Sequence, residues 1–141
     1  MASNDFFWFL SRSIDVLREE SHENYENLAL ELKGVRARVS CGKKHTVYFD
    51  DMNLIICDDI SHFDIEARFD DFTIIDLVDG RCSILDAVLS ERLKIQGKVS
   101  ILYKFIVAMN SYLNGALRSP GFLPLLSQYR QSLRRDRTIA I

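Results

Sequence analysis

Two cysteine–histidine pairs of this 141-residue chain could in principle converge to bind a metal. Cys41 precedes His45, and Cys57 precedes His62, at spacings that a zinc site tolerates. All four flank predicted strand ends, whereas zinc knuckles use tight turns, and small cysteines on an apolar face are commonly inert. We therefore expect no structural metal.

The carboxylates that could serve as acid and base come in adjacent pairs, Asp50-Asp51, Asp58-Asp59 and Asp70-Asp71. Adjacent residues of a strand point to opposite faces, and aspartate is favoured in turns and helix caps for backbone reasons. The chain carries neither a GxSxG nucleophile turn nor a glycine-rich phosphate loop. We expect turn and cap roles for these pairs, no catalytic residue and no cofactor.

Composition limits the class of protein. The chain is 48% apolar and 27% charged, which fits one globular domain, and its net charge of -2 gives no general attraction to nucleic acid. Three cysteines without CxxC spacing indicate reduced thiols and a cytoplasmic location. The apolar run near the N-terminus lacks the features of a signal peptide. The apolar window 99–117 contains Lys104 and Asn110, which favours burial in protein over a membrane span.

The spacing of apolar residues predicts the first half of the fold. Steps near three and four from Asn4 to Leu32 predict an amphipathic helix, with Ser3 or Asn4 as its cap and a bend near Ser21. Gly34 ends this helix, and the period then changes to two. The alternation predicts four consecutive strands, arranged as a meander, over residues 35–41, 45–49, 53–57 and 63–69.

The second half of the chain is predicted to be mainly helical. Asp70 or Asp71 is placed to cap a short helix that Gly80 closes, and Ser83 opens another. A fifth strand over 92–96 precedes the long apolar helix 99–117. A short final helix, framed by Pro120 and Pro124, completes the chain.

One stretch within this half, Val78 to Phe105, reads VDGRCSILDAVLSERLKIQGKVSILYKF and resembles the lipid-binding domain of the sterol carrier protein family. That family has a helix ending in Gly, an AF-type helix, a KLKIKG strand and an apolar helix carrying a Lys. A weaker similarity in the order of elements extends back to about Val35. Glu91 stands where the family usually has a Gly, so we expect a differently built turn there. The matching positions are Gly80, Ala87, Val88, Arg92 to Gly97, and Lys104.

The resemblance implies an α+β fold, a five-stranded mainly antiparallel sheet covered by helices, with an extra N-terminal helix. Residues 1–141 then form a single domain, comprising the helix 1–33, the family-like core 34–131 and a flexible tail 132–141. Members of the family bind hydrophobic ligands, and in the stand-alone form they perform no chemistry on them. The expected function is the binding or transfer of a fatty acyl, sterol, isoprenoid or polyketide-like compound.

The long helix 99–117 carries apolar side chains on two faces, one including Leu102 and Ile106 and the other including Phe105 and Ala108. A sheet covers only one face, so the other either meets further helices in a filled core or lines a cavity. The resemblance favours the cavity, with the C-terminal helix, including Leu125 and Tyr129, as its lid. The predicted lining residues are Phe63, Ile65, Phe69, Ile95, Leu102, Ile106, Met109, Leu113, Phe122 and Leu126.

The aromatic segment Phe6, Phe7, Trp8 and Phe9 surrounds the first helix with rings, more than one packed stripe requires. It could pack on two sides within its own domain, form a homodimer or protein-partner face, or contact a membrane surface. If this segment binds a protein partner, the protein would be a non-catalytic accessory scaffold that docks a biosynthetic partner through its N-terminal helix. A third alternative is an enzyme acting on an apolar substrate, with Asp76, Asp86, His45 or Lys104 as acid or base.

Overall fold

The computed structural model describes residues 5–58 and 62–140, and it describes side chains as far as Leu133. The helices are α1 (Phe6–Glu20), α2 (His22–Glu31), α3 (Asp71–Val78), α4 (Ile84–Leu89), α5 (Val99–Arg118) and α6 (Phe122–Ala140). The strands are β1 (Ala37–Cys41), β2 (Lys43–Asp50), β3 (Asn53–Asp58), β4 (Ile65–Arg68) and β5 (Lys94–Gly97).

Aspartate side chains begin two of the helices by accepting backbone N–H groups that have no partner within the helix. Asp5 accepts from the Trp8 N–H at 3.0 Å, so it caps α1 in place of Ser3 or Asn4, which lie outside the described residues. Asp70 accepts from the Thr73 N–H at 2.8 Å and caps α3 as predicted. The predicted bend at Ser21 is also confirmed, because α1 ends just before this residue and α2 begins just after it.

The sheet has the strand order β3-β2-β1-β4-β5. Strand β1 pairs in parallel with β4, and the other pairings are antiparallel, so the prediction of a five-stranded, mainly antiparallel sheet is confirmed. The prediction of a four-strand meander is wrong, because β4 lies beside β1 and not beside β3. Three consecutive residues of β4 are buried, namely Ile65, Glu66 and Ala67. Burial on both faces is typical of a strand inside a sheet, and β4 has this position between β1 and β5.

Helices cover one face of the sheet. Ala37, Val39 and Cys41 of β1 are buried beneath them, while Arg38 and Ser40 alternate on the outer face. Helix α5 packs against α2 and α1, and α6 packs against α1. In the described part of the chain, no helix has both the length and the apolar character needed to cross a membrane.

Helix α6 is longer than the short final helix predicted from the sequence. It spans 19 residues, from Phe122 to Ala140, so the backbone of residues 132–140 is helical. Ile141 lies outside the described residues. The flexibility assigned to residues 132–141 stays a prediction.

The turn after α4 has the hydrogen bonds of a common glycine-containing turn, although we expected Glu91 to require a different turn. The Arg92 N–H donates to the Ala87 carbonyl at 2.9 Å, and the Glu91 N–H donates to the Val88 carbonyl at 3.1 Å. This is the Schellman pattern that usually places a glycine at the left-handed position. Glu91 occupies that position with φ of 63°, so the turn is retained and a side chain is accommodated in a disfavoured conformation.

Replacing Glu91 with Gly should therefore stabilise the protein. A non-glycine residue in the left-handed conformation costs about 1–2 kcal/mol, and glycine removes this cost from the folded state. Glycine also raises the conformational entropy of the unfolded chain, which offsets part of that stabilisation. We expect the free energy of unfolding in urea to rise by up to about 1 kcal/mol. The matched control is Glu26→Gly inside α2, which should lower it by about 0.5–1 kcal/mol. A destabilised Glu91→Gly variant would contradict the strain assigned to this turn.

Candidate functional site

A cavity of about 110 Å³ lies between the sheet and helices α1, α2 and α5. Its wall is almost entirely apolar. The lining residues are Phe6, Leu10, Ile14, Leu28, Leu32, Val35, Ala37, Val39, Val47, Tyr48, Phe49, Leu54, Phe69, Ile74, Phe105, Ala108, Met109 and Tyr112.

Regular periodicity explains how these elements present an apolar wall. Helix α1 contributes Phe6, Leu10 and Ile14 at steps of four, which places them on one helix face. Strand β1 contributes the small residues Ala37 and Val39 at a step of two, on the inner face of the sheet. Small side chains on the floor leave space between the larger side chains of the helices.

Helix α5 forms the wall through a face of mixed side-chain size. Phe105, Ala108, Met109 and Tyr112 recur at steps of three and four, which places them along one side of the helix. Gly115 continues this side where α5 approaches α1, and an added Cβ there would overlap Leu17 Cδ1. Small residues thus bring the helices close together at one end, while the cavity lies at the other.

The Tyr112 hydroxyl is the polar group of the α5 wall, and its hydrogen bonding is satisfied. It lies 2.6 Å from Ser13 Oγ, which itself donates to the Leu10 carbonyl at 2.8 Å, so Tyr112 is the donor to Ser13. Burial raises the pKa of Tyr112 well above its usual range, which keeps the phenol neutral. The cavity wall is therefore suited to an apolar occupant.

The structure brings two of the ten predicted lining residues, Phe69 and Met109, to this cavity. Phe63 and Ile106 are 38% and 37% exposed. Ile65 is fully buried within β4. The other predicted residues also lie outside the lining: Phe122 and Leu126 are buried in α6, and Ile95, Leu102 and Leu113 are partly buried.

Residues of the N-terminal helices form a part of the wall that the sequence analysis did not assign to the ligand site. They come from α1 and α2, which lay outside the family-like core predicted over residues 34–131. The excess of aromatic rings in the N-terminal segment could have indicated that α1 contributes to the cavity wall, because a helix packed on two sides needs apolar residues on more than one face. The contributing residues are Phe6, Leu10, Ile14, Leu28 and Leu32.

The rings of the aromatic segment pack into the hydrophobic core of the described chain. Phe6, Phe7 and Phe9 are 4%, 7% and 0% exposed, and Trp8 is partly buried. Phe6 contacts Phe69 edge-on, with ring centroids 4.9 Å apart. Of the four rings considered for a dimer, partner or membrane face, Trp8 is therefore the one that is only partly buried.

A buried hydrogen-bond cluster fastens α6, the predicted lid, to the rest of the domain. The Tyr129 hydroxyl donates to Asp71 Oδ1, and the Cys41 thiol donates to the same oxygen at 3.5 Å. Burial, reinforced by the nearby Asp71 carboxylate, raises the pKa of both Tyr129 and Cys41 far above their usual values. Cys41 is therefore an inert thiol, and Tyr129 is a structural anchor.

The residues considered for metal binding do not converge. Cys41 lies on the helix-covered face of the sheet, whereas Cys57 is opposite Thr46 on the other face. The His45 ring contacts the Phe7 ring edge-on, with centroids 4.4 Å apart. Within residues 5–58 and 62–140, no three histidine, cysteine or carboxylate side chains are grouped to hold a metal.

The candidate acids and bases of the enzyme alternative are also placed away from the cavity. Asp76 pairs with Arg92 at 2.8 Å, and Asp86 and Lys104 are exposed on α4 and α5. His45 belongs to β2 but is not part of the cavity wall. None of these four side chains lines the cavity.

Comparison with known proteins identifies the fold. No family model matches the chain, and no curated protein matches it significantly. Several solved structures do match this chain. UbiJ-SCP2, a ubiquinone synthesis protein, aligns with TM-score 0.55 and 14% identity over 72% of this chain and 87% of its own. Sterol carrier protein domain 2 of Helicoverpa armigera aligns with TM-score 0.53 and 18% identity, over 76% and 87%.

A third structure, the crystal structure of sterol carrier protein 2, aligns with TM-score 0.54 and 12% identity over 79% of this chain and 98% of its own. The similarity in these three structures therefore spans nearly the whole of each solved domain and most of this chain. Together with the mixed five-stranded sheet and its helical cover, it shows that the chain has the sterol-carrier-protein-2-like α+β fold.

Proposed function

We propose that this protein binds a hydrophobic molecule in the cavity between the sheet and α1, α2 and α5. The observation that carries the proposal is the cavity itself, about 110 Å³ with an almost wholly apolar wall. Ligands of the expected classes, namely fatty acyl, sterol, isoprenoid or polyketide-like compounds, would be held mainly by burial of apolar surface at about 25 cal/mol per Å². The fold shared with sterol carrier protein structures supports this proposal.

The size of the cavity implies that binding moves part of its wall. Ligand pockets typically enclose about 300–1,000 Å³, several times the space found here. Met109 is unbranched and adaptable, and the edge-on Phe6 and Phe69 rings can separate by rotating. A chain-like ligand would enter by displacing these three side chains, and specificity would follow from cavity shape.

The ligand can be identified by native mass spectrometry of the purified protein, followed by extraction and analysis of any bound compound. Because one protein of similar fold is a ubiquinone synthesis protein, polyprenyl compounds belong in the test panel with fatty acids and sterols. Saturable binding of at least one class is expected. Failure of all of them to bind would refute the proposal.

Two tryptophan variants of α5 test where the ligand binds. Met109→Trp places an indole in the cavity and should weaken binding of a fluorescent fatty acid at least about tenfold. Ile106→Trp is the matched control, since Ile106 is on the same helix but outside the lining, and it should bind like wild type.

Melting temperatures separate loss of the site from loss of the fold. Overpacking at Met109 is expected to cost about 1–3 kcal/mol, so a folded variant with impaired binding supports the proposed site. Unchanged binding by Met109→Trp, with or without a lower melting temperature, would exclude this cavity. Ala108→Val, a smaller increase in volume on the same wall, gives a second variant if the tryptophan prevents folding.

A further inference from the structure

The outer face of the sheet, opposite the helices, carries a row of polar residues across four neighbouring strands. Strand register places Lys44 beside Ser40, Ser40 beside Arg68, and Arg68 beside Lys94. Neighbouring strands are about 4.7–4.9 Å apart, so the four side chains, termed here the cationic row, follow one another at about one strand spacing. Lys44 and Arg68 flank Ser40 directly, and the long side chain of Lys94 can extend toward them from the next strand.

The charges in the cationic row are not balanced. Arg68 and Lys94 are directly opposed like charges, an arrangement that destabilises a sheet. The nearest ion-pair partner is Glu66, which lies 3.2 Å from Arg68 and is shared with Arg38 at 3.5 Å. In the part of the chain that the structure describes, Lys44 and Lys94 have no ion-pair partner. The row therefore has surplus positive charge even after Glu66 is counted.

A buried hydroxyl lies within this row. The Ser40 Oγ atom is buried and has no hydrogen-bond partner among the described residues. A buried polar atom without a partner costs about 1–3 kcal/mol, so buried polar groups are normally satisfied. An acceptor bound between the flanking side chains of Lys44 and Arg68 would satisfy the hydroxyl and offset the repulsion between cations at the same time.

We propose that the cationic row binds a phosphate group. The ammonium groups of Lys44 and Lys94, the guanidinium of Arg68 and the hydroxyl of Ser40 supply donors on one side, and a phosphate carries several acceptor oxygens and the opposite charge. The site lies on the face of the sheet opposite the hydrophobic cavity, so it is independent of the proposed lipid site. The phosphate could belong to a lipid headgroup or to a free anion.

Titration with inorganic phosphate, followed by amide NMR at constant ionic strength, tests the site. Saturable shifts are expected at the four residues of the row, and sodium chloride at equal ionic strength should not reproduce them. The double variant Lys44→Gln/Lys94→Gln should weaken binding at least about tenfold, because charge-assisted hydrogen bonds are the strong ones. Ser40→Ala should weaken it by a smaller factor.

The control is Lys104→Gln, which removes an exposed lysine of α5 on the helix-covered side of the sheet. It should bind phosphate like wild type. The proposal would be overturned if chloride reproduced the shifts or if the shifts persisted in the double variant. It would also be overturned if Lys104→Gln weakened phosphate binding as much as the double variant does. The substituted lysines are exposed, and circular dichroism verifies that each variant is folded.

Sedimentation with vesicles distinguishes the two sources of the phosphate. If the ligand is a lipid headgroup, vesicles containing a phosphate-monoester lipid should sediment together with the wild type and with Lys104→Gln. They should bind less of the double variant, and purely zwitterionic vesicles should bind none of the three proteins. Binding of inorganic phosphate without vesicle binding assigns the site to a free anion. Absence of both would refute the site.

Discussion

Replacing Phe9 with Ala is expected to lower the free energy of unfolding by about 3–5 kcal/mol, which is a large part of the stability of a domain this size. Phe9 is fully buried. Its ring stacks on Tyr129 with centroids 4.7 Å apart and contacts Phe122 edge-on at 6.5 Å. The substitution removes contacts between α1 and α6 and leaves a cavity that the surrounding helices can only partly fill.

Urea unfolding measures this effect, and Leu123→Ala provides the control. Leu123 is adjacent to Phe122 in the sequence but is 73% exposed, so its truncation should change stability by less than about 0.5 kcal/mol. An effect of Phe9→Ala as small as that of the control would mean that α1 is only loosely attached. The aromatic segment would then again be a candidate partner face.

The sequence predicted most elements of the fold because its signals are local. Asp70 and Ser83 begin α3 and α4 through side-chain caps, and Gly80 ends α3, as the spacing of these residues indicated. The change from a period near four to a period of two after Gly34 separates α2 from β1. Each of these signals depends on residues within a few positions of one another.

The strand order could not be predicted in the same way, because it depends on contacts between distant segments. The run Ile65, Glu66 and Ala67 is too short to show alternation, and its burial on both faces is evident only once β4 lies between β1 and β5. The connection from β3 to β4 also lies partly outside the described residues. A meander is the simplest arrangement of consecutive strands, and it would place β4 beside β3 instead of between β1 and β5.

The orientation of α5 about its own axis could not be predicted from the apolar periodicity of the sequence. Both faces of this helix are apolar, so periodicity alone does not decide which one is buried. The structure buries the face with Phe105, Ala108 and Tyr112, and it leaves Val99 and Tyr103 exposed. The small residues Ala108, Gly115 and Ala116 were a usable signal, because closely packed helices require small side chains at the contact.

The second large effect is a steep loss of stability at alkaline pH. Cys41, Tyr112 and Tyr129 are buried and neutral in the folded protein, and burial raises the pKa of all three. In the unfolded chain they ionise near pH 9 and 10. Their contribution to stability is therefore complete below these values and is lost as the pH rises above them.

The loss should be steep because each group contributes about 1.4 kcal/mol per pH unit once its unfolded form is ionised. Above about pH 10.5 the three together are expected to reduce the free energy of unfolding by about 4 kcal/mol per pH unit. Urea unfolding at a series of pH values measures this slope. A profile that is flat between pH 9 and 11 would contradict the neutral burial of these groups.

Tyr129→Phe isolates the contribution of the group that anchors α6. It removes one titrating hydroxyl, so the alkaline slope should fall by about one third. The variant should also lose about 1–3 kcal/mol at neutral pH, because Asp71 loses the donor that Tyr129 provided. Tyr103→Phe, at a side chain that is 70% exposed, is the matched control and should keep the wild-type slope. If Tyr129→Phe also kept that slope, the Tyr129 hydroxyl would have to be accessible to water, and α6 would be a lid that opens readily in the absence of ligand.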